Sequence, residues 1–259
     1  VDRHREHAKG CLEGSGFRVE EIAEADEERA DLRVSDEAAL YIVEVKGKEV
    51  SAEYRELVAS VRGGAVASLS RTIEYRNRLD GIIRKAESQL VSTPAPLGAF
   101  GVLWVSCLEG DVGFILAEFE RTLYGVCDVA AYQANDLMKR PSIIPCFYYH
   151  HSSFFRYQRI DAVVLSGPDG GHLCVNEFAH RPDDFRRSRL YILLSQANAV
   201  MDPPLMERAG QAIAVRGDID RTDPQAKWDY LRNTYGYMTA PAKDFHGVVM
   251  TSVPLRRQQ

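Results

Sequence analysis

Ala30-Asp31-Leu32-Arg33-Val34, followed after a short turn by Leu40-Tyr41-Ile42-Val43-Glu44-Val45-Lys46, is the stretch on which the reading of this chain turns. Both segments are short, apolar-rich and β-branched, and Ser35-Asp36-Glu37 between them supplies turn residues, so they read as two strands of a hairpin. Side chains alternate across a strand, which puts Ile42, Glu44 and Lys46 on one face and Val43 and Val45 on the other. A carboxylate and an ammonium beside an apolar sheet are costly unless they are paired or bind an ion. The hairpin returns Asp31 toward Glu44, and two converging carboxylates repel each other unless a cation relieves them.

Outward from the hairpin, residues 3–13 read as a helix ended by Gly14 and Gly16, and Phe17 to Ile22 alternates as a strand before an acidic turn, Glu24 to Glu28. From Glu53 to Leu90 the pattern is helical, with Leu69, Ile73, Leu79, Ile83, Ala86 and Leu90 at three- and four-residue steps. Phe100 to Val105 reads as a buried strand. Helix, three strands, helix and strand in that order predict an α/β fold, a central mixed sheet flanked by helices. Residues 112–119 fit strand or helix, 126–138 a helix, and 146–150, 160–165 and 172–178 strands. Arg186 to Met201 is expected as one helix, with loop-rich chain after Pro203-Pro204. A boundary near Arg140-Pro141 divides residues 1–140, the core, from 141–259, an additional C-terminal α+β region.

The string Asp31, twelve residues, Glu44-Val45-Lys46 resembles the motif of the PD-(D/E)XK nuclease superfamily. Glu44-x-Lys46 is the only acid-x-Lys in the sequence. Glu6 with Gly16-Phe17-Arg18-Val19 resembles that fold's first helix and strand, and Ile83 to Leu90 resembles the helix that carries a glutamine toward the site. The resemblance spans roughly residues 4–106 and departs at Ala30, where proline is usual. It implies a restriction-endonuclease-like fold and catalytic roles for Asp31, Glu44, Lys46, Glu6 and Gln89. The ligands of Mg2+ or Mn2+ would be Asp31, Glu44 and the Val45 carbonyl, since hard oxygen donors suit these ions. The ion would polarise the scissile phosphate, and lysine would steady developing charge. Phosphodiester hydrolysis is then expected, on DNA by analogy with the class, in host defence or restriction. The alternatives are a catalytically idle nuclease-fold module for binding or assembly, and an unrelated α/β protein with a surface ion-pair cluster.

Arg71, Arg76, Arg78, Arg84 and Lys85 form the candidate nucleic-acid face, against the competing reading of a solvated helix. Net charge is −5, from 32 basic and 37 acidic residues, which argues against coating nucleic acid over the whole surface and leaves room for a local groove, completed by a homo-oligomer or partner subunit. The five cysteines are scattered and never spaced as a metal-binding pair, favouring a reducing, cytoplasmic setting. No apolar run is long enough for a bilayer and no signal-peptide pattern is present, so no membrane partner is expected. The chain starts at Val1 rather than Met, as a trimmed or tagged fragment would. His150-His151 point to opposite faces of a strand, and a P-loop, a dinucleotide fingerprint and serine or cysteine nucleophile motifs are absent.

Overall fold

The Asp36 side chain sets the hairpin, accepting from the backbone N–H of Ala38 (2.7 Å) and Ala39 (2.8 Å). In the computed structural model, which describes residues 2–23, 28–60, 68–73, 75–133, 142–239 and 248–252, this hairpin lies in a seven-stranded mixed sheet flanked by helices. In chain order the elements are α1 (Arg3–Gly14), β1 (Arg18–Glu21), β2 (Leu32–Ser35), β3 (Leu40–Gly47), α2 (Ala52–Ser60), β4 (Ser68–Thr72), α3 (Asn77–Ser92), β5 (Phe100–Ser106) and α4 (Val112–Tyr124). There follow β6 (Cys127–Gln133), β7 (Ser142–Phe147), β8 (Ala162–Gly167), β9 (Gly170–Val175), α5 (Pro182–Arg186), α6 (Arg189–Gln196), β10 (Val200–Met201), α7 (Pro203–Arg208), β11 (Ile213–Ala214), α8 (Pro224–Tyr235), β12 (Tyr237–Thr239) and β13 (Val248–Ser252). The large sheet runs β1-β2-β3-β5-β8-β9-β10; a second has the order β11-β7-β6-β12, and β4 pairs with β13.

Strand β3 runs antiparallel to β2 and parallel to β5, so it is interior and apolar on both faces, as parallel strands tend to be. Ile42 packs with Leu103, Val105 and the α3 row Leu79, Ile83, Ala86 and Leu90. Tyr41, Val43 and Val45 pack on the opposite face with Trp104, Val164, Ala8 and Leu12 of α1, and Leu190 of α6. Helix α1 is started by Asp2, whose carboxylate accepts from the His4 N–H at 2.9 Å. Its buried His4 lies against Gly47, where a Cβ would come within 2.3 Å of the imidazole, so the α1 start and β3 end approach only because residue 47 is glycine.

Several expectations are corrected. Residues 127–133 form a strand: Cys127, Val129 and Ala131 are buried while Asp128 is exposed, a period of two, and β7 supplies the partner. The helical run expected over 53–90 is interrupted by β4, whose partner β13 lies far along the chain. Arg186 to Met201 divides into α5, α6 and β10, because Ser188 caps α6 by accepting from the Tyr191 N–H, and Asn198, at φ 54°, turns the chain. Among the described residues after Pro203 the chain is not the expected loop-rich stretch; prolines at the first turns of α7 and α8 initiate helices. Residues 112–119 are helical, with Asp111 capping α4 and Gly125 ending it in the left-handed region. The boundary expected near residue 140 falls outside the described residues, and both larger sheets draw strands from either side of it. The expected acidic turn lies mostly outside them as well.

Candidate metal centre

The β2/β3 register begins at Leu32↔Val43, and the Asp31 N–H still donates to the Val43 carbonyl at 3.1 Å. Beyond that the strands part. The N–H of Val45, which another residue of β2 would otherwise accept, donates instead to Asp31 Oδ2 at 2.8 Å. N–H and C=O of one strand residue point the same way, so the Val45 carbonyl faces the same gap. Splaying of the hairpin thus brings together an aspartate side chain, a backbone carbonyl and, from the next position on β3, the Glu44 carboxylate.

Glu44 is buried, and its Oε1 accepts from Lys46 Nζ at 2.5 Å. Oε2 has no hydrogen-bond partner among the described residues. Burial pushes the Glu44 carboxyl up to about 7; the negative charge of Asp31 adds to this, and Asp31 would share a hydrogen bond with its protonated form, while Lys46 pulls the other way. Lys46, less buried, also donates to Gln89 Oε1 at 2.7 Å, and Gln89 Nε2 donates to the Arg29 carbonyl at 3.1 Å. Helix α3 therefore supplies the ammonium with a second acceptor besides Glu44. The second oxygen of Asp31 faces the Arg5 guanidinium at 3.0 Å.

Asp31, Glu44, Val45, Lys46 and Gln89 therefore meet at one place. Glu6 is exposed, and the α1 side chain that reaches Asp31 is Arg5, which the sequence reading missed. Successive helix residues differ by about 100° in direction, so the string Arg5-Glu6 gives no sign of which one faces the sheet. Of the basic residues, Arg76 pairs with Glu118 at 2.8 Å, Lys85 pairs with Glu28 at 2.9 Å, and Arg78 and Arg84 are exposed on α3; the Arg71 side chain lies outside the described residues.

The donor set suits a hard divalent ion: two carboxylates, one with a buried unpartnered oxygen, and a carbonyl in the same gap. Among the described residues no group of three or more His, Cys, Asp and Glu side chains converges as a metal cage. Magnesium commonly binds through one or two carboxylates plus water and substrate phosphate, so two carboxylates meet its needs. No helix among the described residues is long and apolar enough to cross a membrane. No family model matches the chain, and comparison with curated proteins and with solved structures gave no match.

Proposed function

We propose that this protein is a divalent-metal-dependent nuclease with a restriction-endonuclease-like core, resembling the PD-(D/E)XK class. The observation that carries the reading is the convergence of Asp31 and Glu44 at a splayed strand edge, with Glu44 Oε2 buried and unpartnered beside Lys46. Asp31, Glu44 and the Val45 carbonyl would hold Mg2+ or Mn2+, and such an ion supplies charge stabilisation at the phosphate and a more acidic bound water. Lys46 presents a cation to the reacting phosphate and is kept in place by Gln89, so its ammonium need not be reoriented as charge develops. The buried walls around Glu44 strengthen these electrostatic interactions by excluding water. DNA is the preferred substrate by analogy with the class, and host defence or restriction the fitting role.

A second reading, an idle nuclease-fold binding module, is favoured by one feature. Each carboxylate already has its own cation, Arg5 on Asp31 and Lys46 on Glu44. The two readings separate when supercoiled plasmid, linear duplex, single-stranded DNA and RNA are incubated with Mg2+, Mn2+ or EDTA, alongside folded Glu44→Ala and Lys46→Ala variants. The nuclease reading expects metal-dependent cleavage lost in both variants. Cleavage that survives EDTA or either substitution would refute this site.

A further inference from the structure

The β3/β5 ladder continues past Gly47, because the Lys48 N–H donates to the Ser106 carbonyl at 2.8 Å. Glu44, Lys46 and Lys48 therefore follow one another on a single face, each about 7 Å beyond the last. Lys48 opens into a cleft of about 740 Å3 between the end of β3, α2, the start of α3 and α4. Arg78 lines the same cleft, and among the described residues neither cation has a carboxylate within ion-pair distance. Of the cleft's acids, Glu49 pairs with Arg3 and His4 and Glu118 with Arg76; Asp111 accepts from the Phe114 N–H, and Glu53 stands in the exposed first turn of α2. Burial lowers the Lys48 ammonium from its ordinary value; the nearby Arg78 charge adds to this and Glu118 opposes it, and an anion between the two cations would relieve their mutual repulsion. The wall also carries Ser51 and Arg55, whose guanidinium donates to the Val50 carbonyl at 3.1 Å, and an apolar and aromatic part that includes Tyr54, Leu79, Ile82 and Phe114.

We propose that this cleft takes an unpaired nucleotide of the substrate strand, its phosphate on Lys48 and Arg78 and its base against Tyr54 and the apolar wall. This rests on the nuclease reading for its substrate and names the class: a single strand or a frayed end. The volume lies in the roughly 300–1,000 Å3 range of small-ligand sites. Bases stacked inside a duplex cannot reach such a wall, whereas an unpaired base stacks on aromatic side chains at little cost in sequence preference.

The test is binding of a short dye-labelled single-stranded oligodeoxynucleotide, and of its blunt duplex, to the full chain in EDTA, with thymidine 5′-monophosphate as competitor. Lys48→Ala with Arg78→Ala should weaken single-strand binding about tenfold, counting two lost phosphate contacts. Tyr54→Ala should weaken it about fivefold through lost stacking and leave the duplex unchanged. Lys48→Arg should retain binding, and circular dichroism of every variant guards against misfolding. Single-strand binding unchanged in the double variant, or equal losses for single strand and duplex, would overturn the proposal. Because no metal is present, binding lost in these variants supports the cleft even if cleavage fails. Cleavage with unaltered binding in them rejects the cleft and leaves the nuclease reading standing.

Discussion

Two carboxylate pairs in this molecule are treated in opposite ways. Glu177 and Glu207 share one cation: Arg216 reaches them through Nε at 2.8 Å and Nη1 at 2.6 Å, and Tyr235 donates to the remaining oxygen of Glu207. Among the described residues Asp31 and Glu44 share none, having Arg5 on one and Lys46 on the other. An unpartnered oxygen is not the difference, because Glu177 Oε1 also lacks a partner among the described residues. The shared guanidinium is. It turns repulsion into a clamp joining the chain after β9, α7 and the chain after β11, and it leaves nothing for an ion to do. Where the cations stand apart, the Asp31 charge adds to burial in raising the Glu44 carboxyl. A carboxylate pair alone therefore carries no argument for an ion; the proposal rests on the lack, among the described residues, of a cation common to Asp31 and Glu44.

That contrast breaks if the clamp proves dispensable. Arg216→Ala should lower unfolding free energy in urea by about 3–5 kcal/mol, since it strands two partly buried carboxylates, while cleavage per folded molecule stays unchanged. Lys46→Ala should weight the two effects the other way, with cleavage lost about a hundredfold to a thousandfold and a smaller stability loss, because Glu44, titrating at about 7, can take up a proton when its ammonium partner is removed. A large stability loss in Lys46→Ala would make the two regions equivalent.

A pH series in EDTA sharpens the comparison. Glu44 titrates at about 7 when folded, above its ordinary value of 4.5, so the folded state binds the extra proton between these values. Its contribution to stability is therefore fully present below about pH 4.5 and is lost as pH rises to about 7, by as much as about 3 kcal/mol. Glu44→Gln should remove that slope and be the more stable protein at pH 8; an unchanged slope would mean that Glu44 is not the group that titrates there. The smallest effect is expected from Arg5→Ala, which frees an oxygen of Asp31. Calorimetric titration with manganese should show binding tightened by about fivefold, and weaker binding would give Arg5 a supporting role instead.

The hairpin, its alternation and the meeting of Asp31 with Glu44 were legible because they depend on neighbours in sequence. Gln89 was reached only through the resemblance of Ile83 to Leu90 to a helix that carries a glutamine toward the site. What escaped depends on distant partners. β4 is a strand because β13 lies beside it, and 127–133 extends because β7 accepts it, although both stretches carry helix-compatible residues. The approach of Arg5 rather than Glu6 depends on helix rotation, and the adjacency of Lys48 and Arg78 on how α3 lies over β3. Neither is written in spacing.

The central claim, that Asp31 and Glu44 form an ion site because no cation joins them, is tested most directly by titrating manganese into wild type and folded Glu44→Ala at pH 8. The account predicts saturable binding of an ion in wild type that disappears in the variant. Absence of binding in wild type, or equal binding in both, would contradict it.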